Sequence, residues 1–215
     1  MESAIIGQNY KCPPPVNFMQ RQLVPWLCAA LCFAAVAVAH AGPTEDAIRT
    51  GGVALLMRHA TAPGTGDPEP FKVDDCGTQR NLSEAGRDEA RRIGAHLRQI
   101  GLTPGEVLTS QWCRCRDTAQ LAFGGAAGGA RDWPVLNSFL RNRAGEAAQR
   151  DAIVVRIGKV KRGSAPLVLV THQLIITSVT GVFPESGEVV VVAPVTNGTG
   201  KRIKVIGTIK PVAAQ

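Results

Sequence analysis

The chain contains few aromatic residues: Phe, Trp and Tyr together make up 5% of its 215 residues, and only one of them is Tyr. Proteins that bind nucleic acids commonly combine clustered basic residues with aromatic rings on which bases stack. Here the arginines are spread along positions 58–162 and do not form a block. The composition therefore argues against a nucleic-acid partner. The net charge of +7 fits either an anionic small ligand or general surface basicity.

The sequence also lacks a C-x-x-C pair, and no His stands at ligand spacing from a Cys, so the cysteines do not predict a metal site. Three cysteines follow position 41, namely Cys76, Cys113 and Cys115. On a helix, residues two positions apart face nearly opposite sides. We therefore expect Cys76 to form a disulfide with either Cys113 or Cys115, which leaves the third cysteine as a free thiol.

A hydrophobic run long enough to cross a membrane is missing as well. The apolar segment 23–38 is shorter than the roughly 20 residues that a membrane helix needs. It follows Arg21 and ends at Ala39-His40-Ala41, a pattern typical of a secretory signal peptide. We predict a signal peptide over residues 1–41, with Met19 as an alternative start of translation. The remaining residues 42–215 fit a single exported domain, periplasmic or secreted, with no stable membrane span after processing.

Strand and helix patterns alternate along the rest of the chain. Buried strands are predicted over 53–57, 107–108 and 167–170, and two further strands over 189–192 and 203–209 are joined by a hairpin at Asn197-Gly198. Residues 124–130 are predicted to be a flexible connection, and 133–136 a strand or an extended segment. Helices are predicted from Thr44 to Ile48, from Ser83 to Gly101, from Arg114 to Gly124, from about Gly145 to Lys161, and up to Gly181. The alternation predicts an α/β sandwich with a mostly parallel sheet and mixed edge strands.

Polar side chains follow three of these strands at the point where each strand ends. Arg58 and His59 close the first strand, Ser110 leads from the second toward Arg114, and His172 closes the strand at 167–170. Because the carboxyl ends of parallel strands lie at one edge of a sheet, two Arg and two His are expected to converge there.

This combination of side chains suits phosphoryl transfer. Each guanidinium can bind two phosphoryl oxygens at once. A neutral imidazole can attack phosphorus and hold the phosphoryl group covalently. The second imidazole and the guanidiniums would then stabilise the negative charge of the transition state without a metal ion or other cofactor.

Four ordered segments resemble the histidine phosphatase superfamily, the phosphoglycerate mutase-like proteins. They are LMRHA at 56–60, NLSEAG at 81–86, TSQWCRCRDTA at 109–119 and VTH at 170–172. The resemblance implies a three-layer α/β sandwich with helices on both sides of a central sheet. It also implies that His59 is the phosphorylated nucleophile, that Arg58 and Arg114 bind the phosphate, and that His172 is the second histidine of the pocket. The loop after His59 would add a further phosphate contact at Thr61.

Together with the predicted signal peptide, the resemblance implies an exported phosphatase of the metal-independent histidine acid phosphatase type, acting on a small phosphate monoester or phosphoramidate. Exported bacterial relatives suggest an envelope sugar phosphate as substrate, by analogy alone. A phosphomutase and a catalytically inactive phosphate-binding protein are the alternatives. Export argues against the mutase, because phosphorylated metabolites of glycolysis stay inside the cell.

The sequence departs from the family pattern in two respects. Ala60 replaces the usual glycine after the nucleophile, and Gln173 follows His172 where one branch of the family has an Asp general acid. The other branch takes its acid from a later segment, in which Glu146 and Asp132 are the available carboxyl groups. Without a general acid, substrates with good leaving groups would be favoured, such as phosphoramidates or acidic phosphate esters.

Overall fold

The computed structural model describes residues 42–195 and 202–211, and within them six strands form one sheet. The strands are β1 (Ala54–Arg58), β2 (Glu106–Thr109), β3 (Ala130–Asp132), β4 (Leu167–Thr171), β5 (Val189–Val195) and β6 (Arg202–Ile209). Their order in the sheet is β3-β2-β4-β1-β5-β6. The pairs β3–β2, β2–β4 and β4–β1 are parallel, whereas β5 is antiparallel to both β1 and β6.

Helices cover both faces of the sheet. They are α1 (Pro43–Thr50), α2 (Glu84–Gln99), α3 (Cys113–Phe123), α4 (Glu146–Ile157) and α5 (Gln173–Thr180). One apolar core joins the sheet to α1, α2 and α3, and a second core joins it to α4 and α5. The predicted three-layer α/β sandwich is therefore confirmed.

The central strands are apolar throughout because both of their faces are buried. In β1, Leu55 and Met57 point into the core under α2 and α3, while Ala54 and Leu56 point into the core under α4 and α5. Successive residues of a strand face opposite sides, so a strand between two layers of helices needs an unbroken apolar run. The run ends at Arg58, where the chain leaves the sheet.

The helix predicted after Ser83 is confirmed. The Ser83 side chain accepts a hydrogen bond from the Gly86 N–H and caps the helix, and Gly101, at φ +95°, follows its end. A Cβ on Gly86 would lie 2.0 Å from the Thr61 carbonyl oxygen, so the first turn of α2 requires glycine to pack against the loop that follows β1. This contact fixes the loop against α2.

Two local predictions are wrong. Thr44 does not cap the first helix, because Gly42 is the N-cap and Pro43 already occupies the first helical turn, with Glu45 accepting from the Gly42 N–H at 2.6 Å. Residues 134–136 form a short 3-10 turn, since Pro134 cannot donate to a strand ladder.

The segment predicted as a flexible connection extends only to Gly129. Residue Ala130 already belongs to β3, a three-residue strand that pairs in parallel with β2 at the edge of the sheet. A strand this short has little pattern to detect, and its position is set by pairing with β2.

Strands β5 and β6 form the predicted antiparallel pair, while the predicted Asn197-Gly198 turn lies outside the described residues. The predicted signal peptide at 1–41 also lies outside them. Within 42–195 and 202–211, no helix is long and apolar enough to span a bilayer.

The disulfide joins Cys76 to Cys113, and Cys115 is a buried free thiol. The bond links the loop between β1 and α2 to the first turn of α3. It closes a segment of 37 residues, which on the chain-entropy argument stabilises the fold by roughly 3–4 kcal/mol. Of the two pairings left open by the sequence, the structure therefore selects Cys76 with Cys113.

Candidate active site

The parallel pairing of β1 and β4 places two histidines side by side. Arg58 pairs with Thr171 in the sheet register, so the next residues, His59 and His172, leave neighbouring strands at the same edge. Their ring centroids lie 5.5 Å apart, and the two rings are 3% and 4% exposed. The convergence of these imidazoles follows directly from the topology of the sheet.

The His59 ring is held in one orientation. Its Nδ1 lies 2.8 Å from the carbonyl oxygen of Ala60, which can only accept, so Nδ1 carries the proton. The other nitrogen, Nε2, therefore keeps its lone pair and accepts a hydrogen bond from Nε of Arg114 at 3.3 Å. A neutral imidazole whose unprotonated nitrogen lies against a guanidinium is placed to attack an electrophile that displaces this hydrogen bond and binds the guanidinium.

Arg114 is anchored by a carboxylate in the loop after β1. Nη1 of Arg114 lies 2.7 Å from Oδ1 of Asp67, and the two side chains are 4% and 7% exposed. Asp67 also accepts from the indole Nε1 of Trp112 at 3.0 Å and from the Arg80 backbone N–H at 3.0 Å. Burial disfavours the Asp67 carboxylate, but the hydrogen bonds from Arg114 and Trp112 outweigh it and hold its pKa below the ordinary value.

Arg58 brings a second guanidinium to the histidines. Its Nη1 donates to the carbonyl oxygen of Pro184 at 3.0 Å, whereas its buried Nε has no partner among the described residues. The side-chain Nε2 of Gln173, next to His172, is likewise buried and unpaired within the described part of the chain. Buried donors are nearly always satisfied, so two orphaned donors at the ends of β1 and β4 are suited to a ligand with acceptor oxygens.

A third guanidinium, that of Arg80, was not predicted from the sequence. It donates through Nε to the Gly66 carbonyl at 2.9 Å and through Nη1 to the Ala62 carbonyl. Its charge acts on both histidines and on the other two arginines. Three guanidiniums against two carboxylates, those of Asp67 and Glu89, leave the cluster with a net charge of +1 when the imidazoles are neutral.

Both imidazoles are neutral at neutral pH. Burial lowers the pKa of His59 to about 3, the three nearby guanidiniums act in the same direction, and the hydrogen bond to Ala60 opposes them only in part. Burial also holds the pKa of His172 well below its usual value, with His59 and the guanidiniums adding to the effect.

We expect an NMR pH titration of the ligand-free protein to show His59 neutral from about pH 8 to about pH 5, and His172 to titrate well below its ordinary range. The unfolded chain binds a proton near pH 6.5 that the folded His59 does not bind until about pH 3. Neutral His59 therefore makes its full contribution to the free energy of unfolding above pH 6.5. This contribution is lost as the pH falls toward 3. A midpoint near 6.5 for either ring in the folded protein would contradict the burial argument.

Thr61, the predicted additional phosphate contact, already uses its backbone groups. Its N–H donates to Oε2 of Glu89 at 2.7 Å, and its carbonyl accepts from the Ser83 N–H at 3.2 Å. A phosphate could take the Thr61 N–H only by displacing Glu89. The assignment of Thr61 to substrate binding stays a prediction.

Neither predicted acid joins the cluster by a hydrogen bond or ion pair within residues 42–195 and 202–211. Asp132 pairs with Arg116 at 2.5 Å on the exposed edge of the sheet, and Glu146 stands in the first turn of α4. The carboxyl groups beside the site are those of Asp67 and Glu89, which the sequence did not reveal. Asp67 lies in a Gly- and Pro-rich loop without periodicity, whereas Arg80 directly precedes the helix signal at Asn81-Leu82-Ser83 and could have been suspected from it.

Metal-ligand side chains do not cluster in the described part of the chain: no group of three His, Cys, Asp or Glu could hold an ion there. The positive charge beside His59 comes from Arg58, Arg80 and Arg114. The guanidiniums and imidazoles gathered here suit an anionic ligand.

Comparison of the sequence with protein-family models and with curated proteins gave no match. The fold does match solved structures. A mycobacterial glucosyl-3-phosphoglycerate phosphatase in complex with VO3 has a TM-score of 0.53 at 14% identity, over 71% of this chain and 96% of that one. The protein histidine phosphatase SixA complexed with tungstate has a TM-score of 0.51 at 16% identity, over 74% of this chain and 97% of that one.

A SixA structure from Agrobacterium tumefaciens has a TM-score of 0.52 at 20% identity, and the match covers 75% of this chain and 99% of that one. The match spans nearly the full length of all three structures. The chain therefore has the histidine phosphatase fold, which is phosphoglycerate mutase-like, as its sequence motifs predicted.

Proposed function

We propose that the protein is a phosphohydrolase that transfers a phosphoryl group from a small substrate to Nε2 of His59 and then to water. The observation that carries this proposal is the His59 ring itself. Its proton is fixed on Nδ1 by the Ala60 carbonyl, and its unprotonated Nε2 lies 3.3 Å from Nε of Arg114. The solved structures that share this fold include phosphatases, which supports the same reaction class.

In the first step the Nε2 lone pair forms a bond to phosphorus, and the electron pair of the breaking P–O or P–N bond departs with the leaving group. Arg58, Arg80 and Arg114 surround the reacting group with positive charge in a buried setting. Fixed charges of this kind stabilise the equatorial oxygens of the transition state without reorganisation. In the second step a water oxygen bonds to phosphorus, the N–P electron pair returns to Nε2, and a water proton goes to solvent.

The carboxyl groups beside the site are poorly suited to protonate a leaving group. Asp67 is ionised and bound to Arg114 and Trp112, and Glu89 accepts from the Thr61 N–H. Substrates whose leaving group needs little protonation in the transition state are therefore favoured, which points to phosphoramidates and acidic phosphate esters.

The direct test is turnover of an activated aryl phosphate by the purified protein. Release of the aryl alcohol with inorganic phosphate as co-product supports the proposal. If the protein turns over neither an aryl phosphate nor a phosphoramidate, the proposal is contradicted. Transfer of phosphate within a sugar phosphate or phosphoglycerate, seen by product analysis, would instead identify a phosphomutase.

A phosphate-binding protein without turnover is the second candidate, and the engaged state of Asp67 and Glu89 is the observation that favours it. The two candidates differ in one experiment. A binding protein retains inorganic phosphate in equilibrium dialysis but releases no aryl alcohol from the aryl phosphate. A phosphohydrolase binds phosphate and also releases the aryl alcohol.

Export to an oxidising compartment is a further part of the proposal. It is supported by the signal-like pattern at 1–41 and by the disulfide between Cys76 and Cys113, because disulfides persist mainly in such compartments. The envelope sugar phosphates suggested by analogy would be encountered there.

Processing and disulfide pairing can be tested on one sample. We expect mass analysis of the exported protein to give an N-terminus at Gly42, and thiol titration in denaturant to find one thiol, that of Cys115. Reduction should raise the count to three, since Cys76, Cys113 and Cys115 are the cysteines after position 41. A protein that retains Cys28 and Cys32 would contradict cleavage.

A further inference from the structure

The imidazole of His172 ends a chain of polar groups that the proposed reaction does not use. Its Nε2 lies 2.9 Å from the hydroxyl oxygen of Ser110, and that hydroxyl lies 3.1 Å from Oδ1 of Asn137. Oδ1 of Asn137 also accepts from the backbone N–H of Gln111 at 2.9 Å. Ser110 and His172 are both buried.

The direction of each hydrogen bond in this chain is fixed. The Gln111 N–H can only donate, so the atom of Asn137 that it meets is the oxygen. The amide nitrogen of Asn137 accordingly donates to Oε1 of Gln111 at 2.9 Å. Because Oδ1 of Asn137 can only accept, the single hydroxyl proton of Ser110 points toward it. The Ser110 oxygen is then left as an acceptor, and Nε2 of His172 must be the donor.

Asn137 is itself held in place from two sides. Its backbone N–H donates to the Pro134 carbonyl at 3.0 Å in the 3-10 turn, and its carbonyl accepts from Nε2 of Gln149 on α4 at 2.9 Å. The acceptor that orients Ser110 is therefore fixed by the layer of helices on the far side of the sheet from α3.

We propose that Asn137 is a positioning residue that acts through Ser110 to keep the proton of neutral His172 on Nε2, so that Nδ1 can donate to a bound oxyanion only after His172 gains a second proton. Binding of the anion is then linked to uptake of that proton. The inference rests on the proposed anion site.

The groups around His172 determine when the second proton binds. Without a bound anion the ring is neutral at neutral pH, since its burial and the surrounding positive charge both lower its pKa. The Cys115 thiol, 3.6 Å from Nε2, is neutral because burial raises its pKa to about 12. A bound dianion would offset the positive charge and make protonation favourable. The charged and titratable groups that face the ring are His59, Arg58, Arg80, Arg114 and Cys115.

The tautomer can be read without any ligand. In the protein from Gly42 onward labelled with ¹⁵N-histidine, three histidines give signals, and a His172→Gln variant assigns the one at position 172. We expect the Nε2–H tautomer in the wild type and in Asn137→Asp, which keeps the acceptor for Ser110. In Asn137→Ala the Ser110 hydroxyl is free to donate to Nε2, and the Nδ1–H tautomer should become the major form.

The proton linkage is tested with inorganic sulfate, which stays a dianion at neutral pH. Calorimetric titrations in buffers of different ionisation enthalpy should show uptake of about one proton per sulfate in the wild type. The uptake should fall toward zero in Asn137→Ala and persist in Asn137→Asp. Circular dichroism and thermal melting show whether each variant is folded, and a purely structural role of Asn137 would leave both the tautomer and the proton uptake unchanged.

The outcomes separate this inference from the proposed function. An Nδ1–H tautomer in the wild type, or unchanged proton uptake in folded Asn137→Ala, would overturn the inference while leaving phosphoryl transfer intact. Absence of sulfate binding would overturn the anion site and with it the proton linkage. The Nε2–H tautomer together with uptake that depends on Asn137 supports the inference.

Discussion

Replacement of His59 by Gln is expected to lower the kcat for an activated aryl phosphate by at least about 10³-fold, because it removes the nucleophile and not merely a contact to the substrate. The proposed reaction passes through a covalent bond between Nε2 and phosphorus, and among the described residues His59 is the histidine whose unprotonated nitrogen accepts a hydrogen bond from Arg114. Quenching the wild-type protein with radiolabelled substrate should trap an acid-labile, base-stable phosphoryl group, and the variant should carry no label.

His96→Gln is the matched control for this experiment. His96 lies on α2 and has no contact with His59 or His172 among the described residues, so its replacement should leave kcat unchanged. Turnover that survives in His59→Gln would show that another group is the nucleophile or that water attacks directly. Either result would end the phosphohistidine proposal.

Replacement of Arg114 by Ala is expected to have two separable effects. The guanidinium and Asp67 are 4% and 7% exposed, so removing the guanidinium leaves a buried carboxylate without its ion-pair partner. Breaking such a pair typically costs about 3–5 kcal/mol of the free energy of unfolding. Loss of a positive charge beside the reacting phosphoryl group should also reduce kcat by about 10²–10³-fold.

The double variant Arg114→Ala/Asp67→Asn distinguishes the two effects. It removes both charges, so most of the lost stability should return, whereas the activity should stay low because the guanidinium is still absent. Denaturant unfolding measures the first effect, and steady-state kinetics measures the second. If activity returns together with stability, Arg114 acts by supporting the fold and not by binding the phosphoryl group.

An exposed ion pair provides the comparison for stability. Arg91 and Asp88 on α2 have side chains that are 53% and 59% exposed. Arg91→Ala should therefore change the free energy of unfolding by less than about 1 kcal/mol. The contrast with Arg114 measures the contribution of burial, since both pairs join an Arg to an Asp.

The sheet and most helices could be predicted because their signals are local. The apolar run at 53–57 and the Ser83 cap depend only on neighbouring residues and were read correctly. Strand β3 was missed because it is held by pairing with β2. The 3-10 turn at 134–136 was missed because its apolar residues favour a strand, whereas its proline favours a turn. Pairing energy comes from residues far away in the chain, so a short strand carries little sign of it.

The candidate site divides in the same way. His59, Arg58, Arg114 and His172 could be named in advance because each stands at a recognisable strand end or helix start, and parallel topology brings such positions to one edge. Asp67 and Asn137 could not be named, since their roles depend on how the loops fold back over that edge. The choice of Cys113 over Cys115 as the partner of Cys76 belongs to this second group.

The sequence by itself determined the layered α/β architecture and the edge at which the arginines and histidines gather, because hydrophobic periodicity and strand order are local and topological properties. Only the tertiary structure decided which carboxylate anchors Arg114 and which nitrogen of each imidazole carries the proton. These depend on distances of about 3 Å between residues that are up to 62 positions apart in the chain. Contacts between residues so far apart in the chain are determined by packing and by the need to pair buried polar groups. Neither can be predicted from a single segment of the sequence.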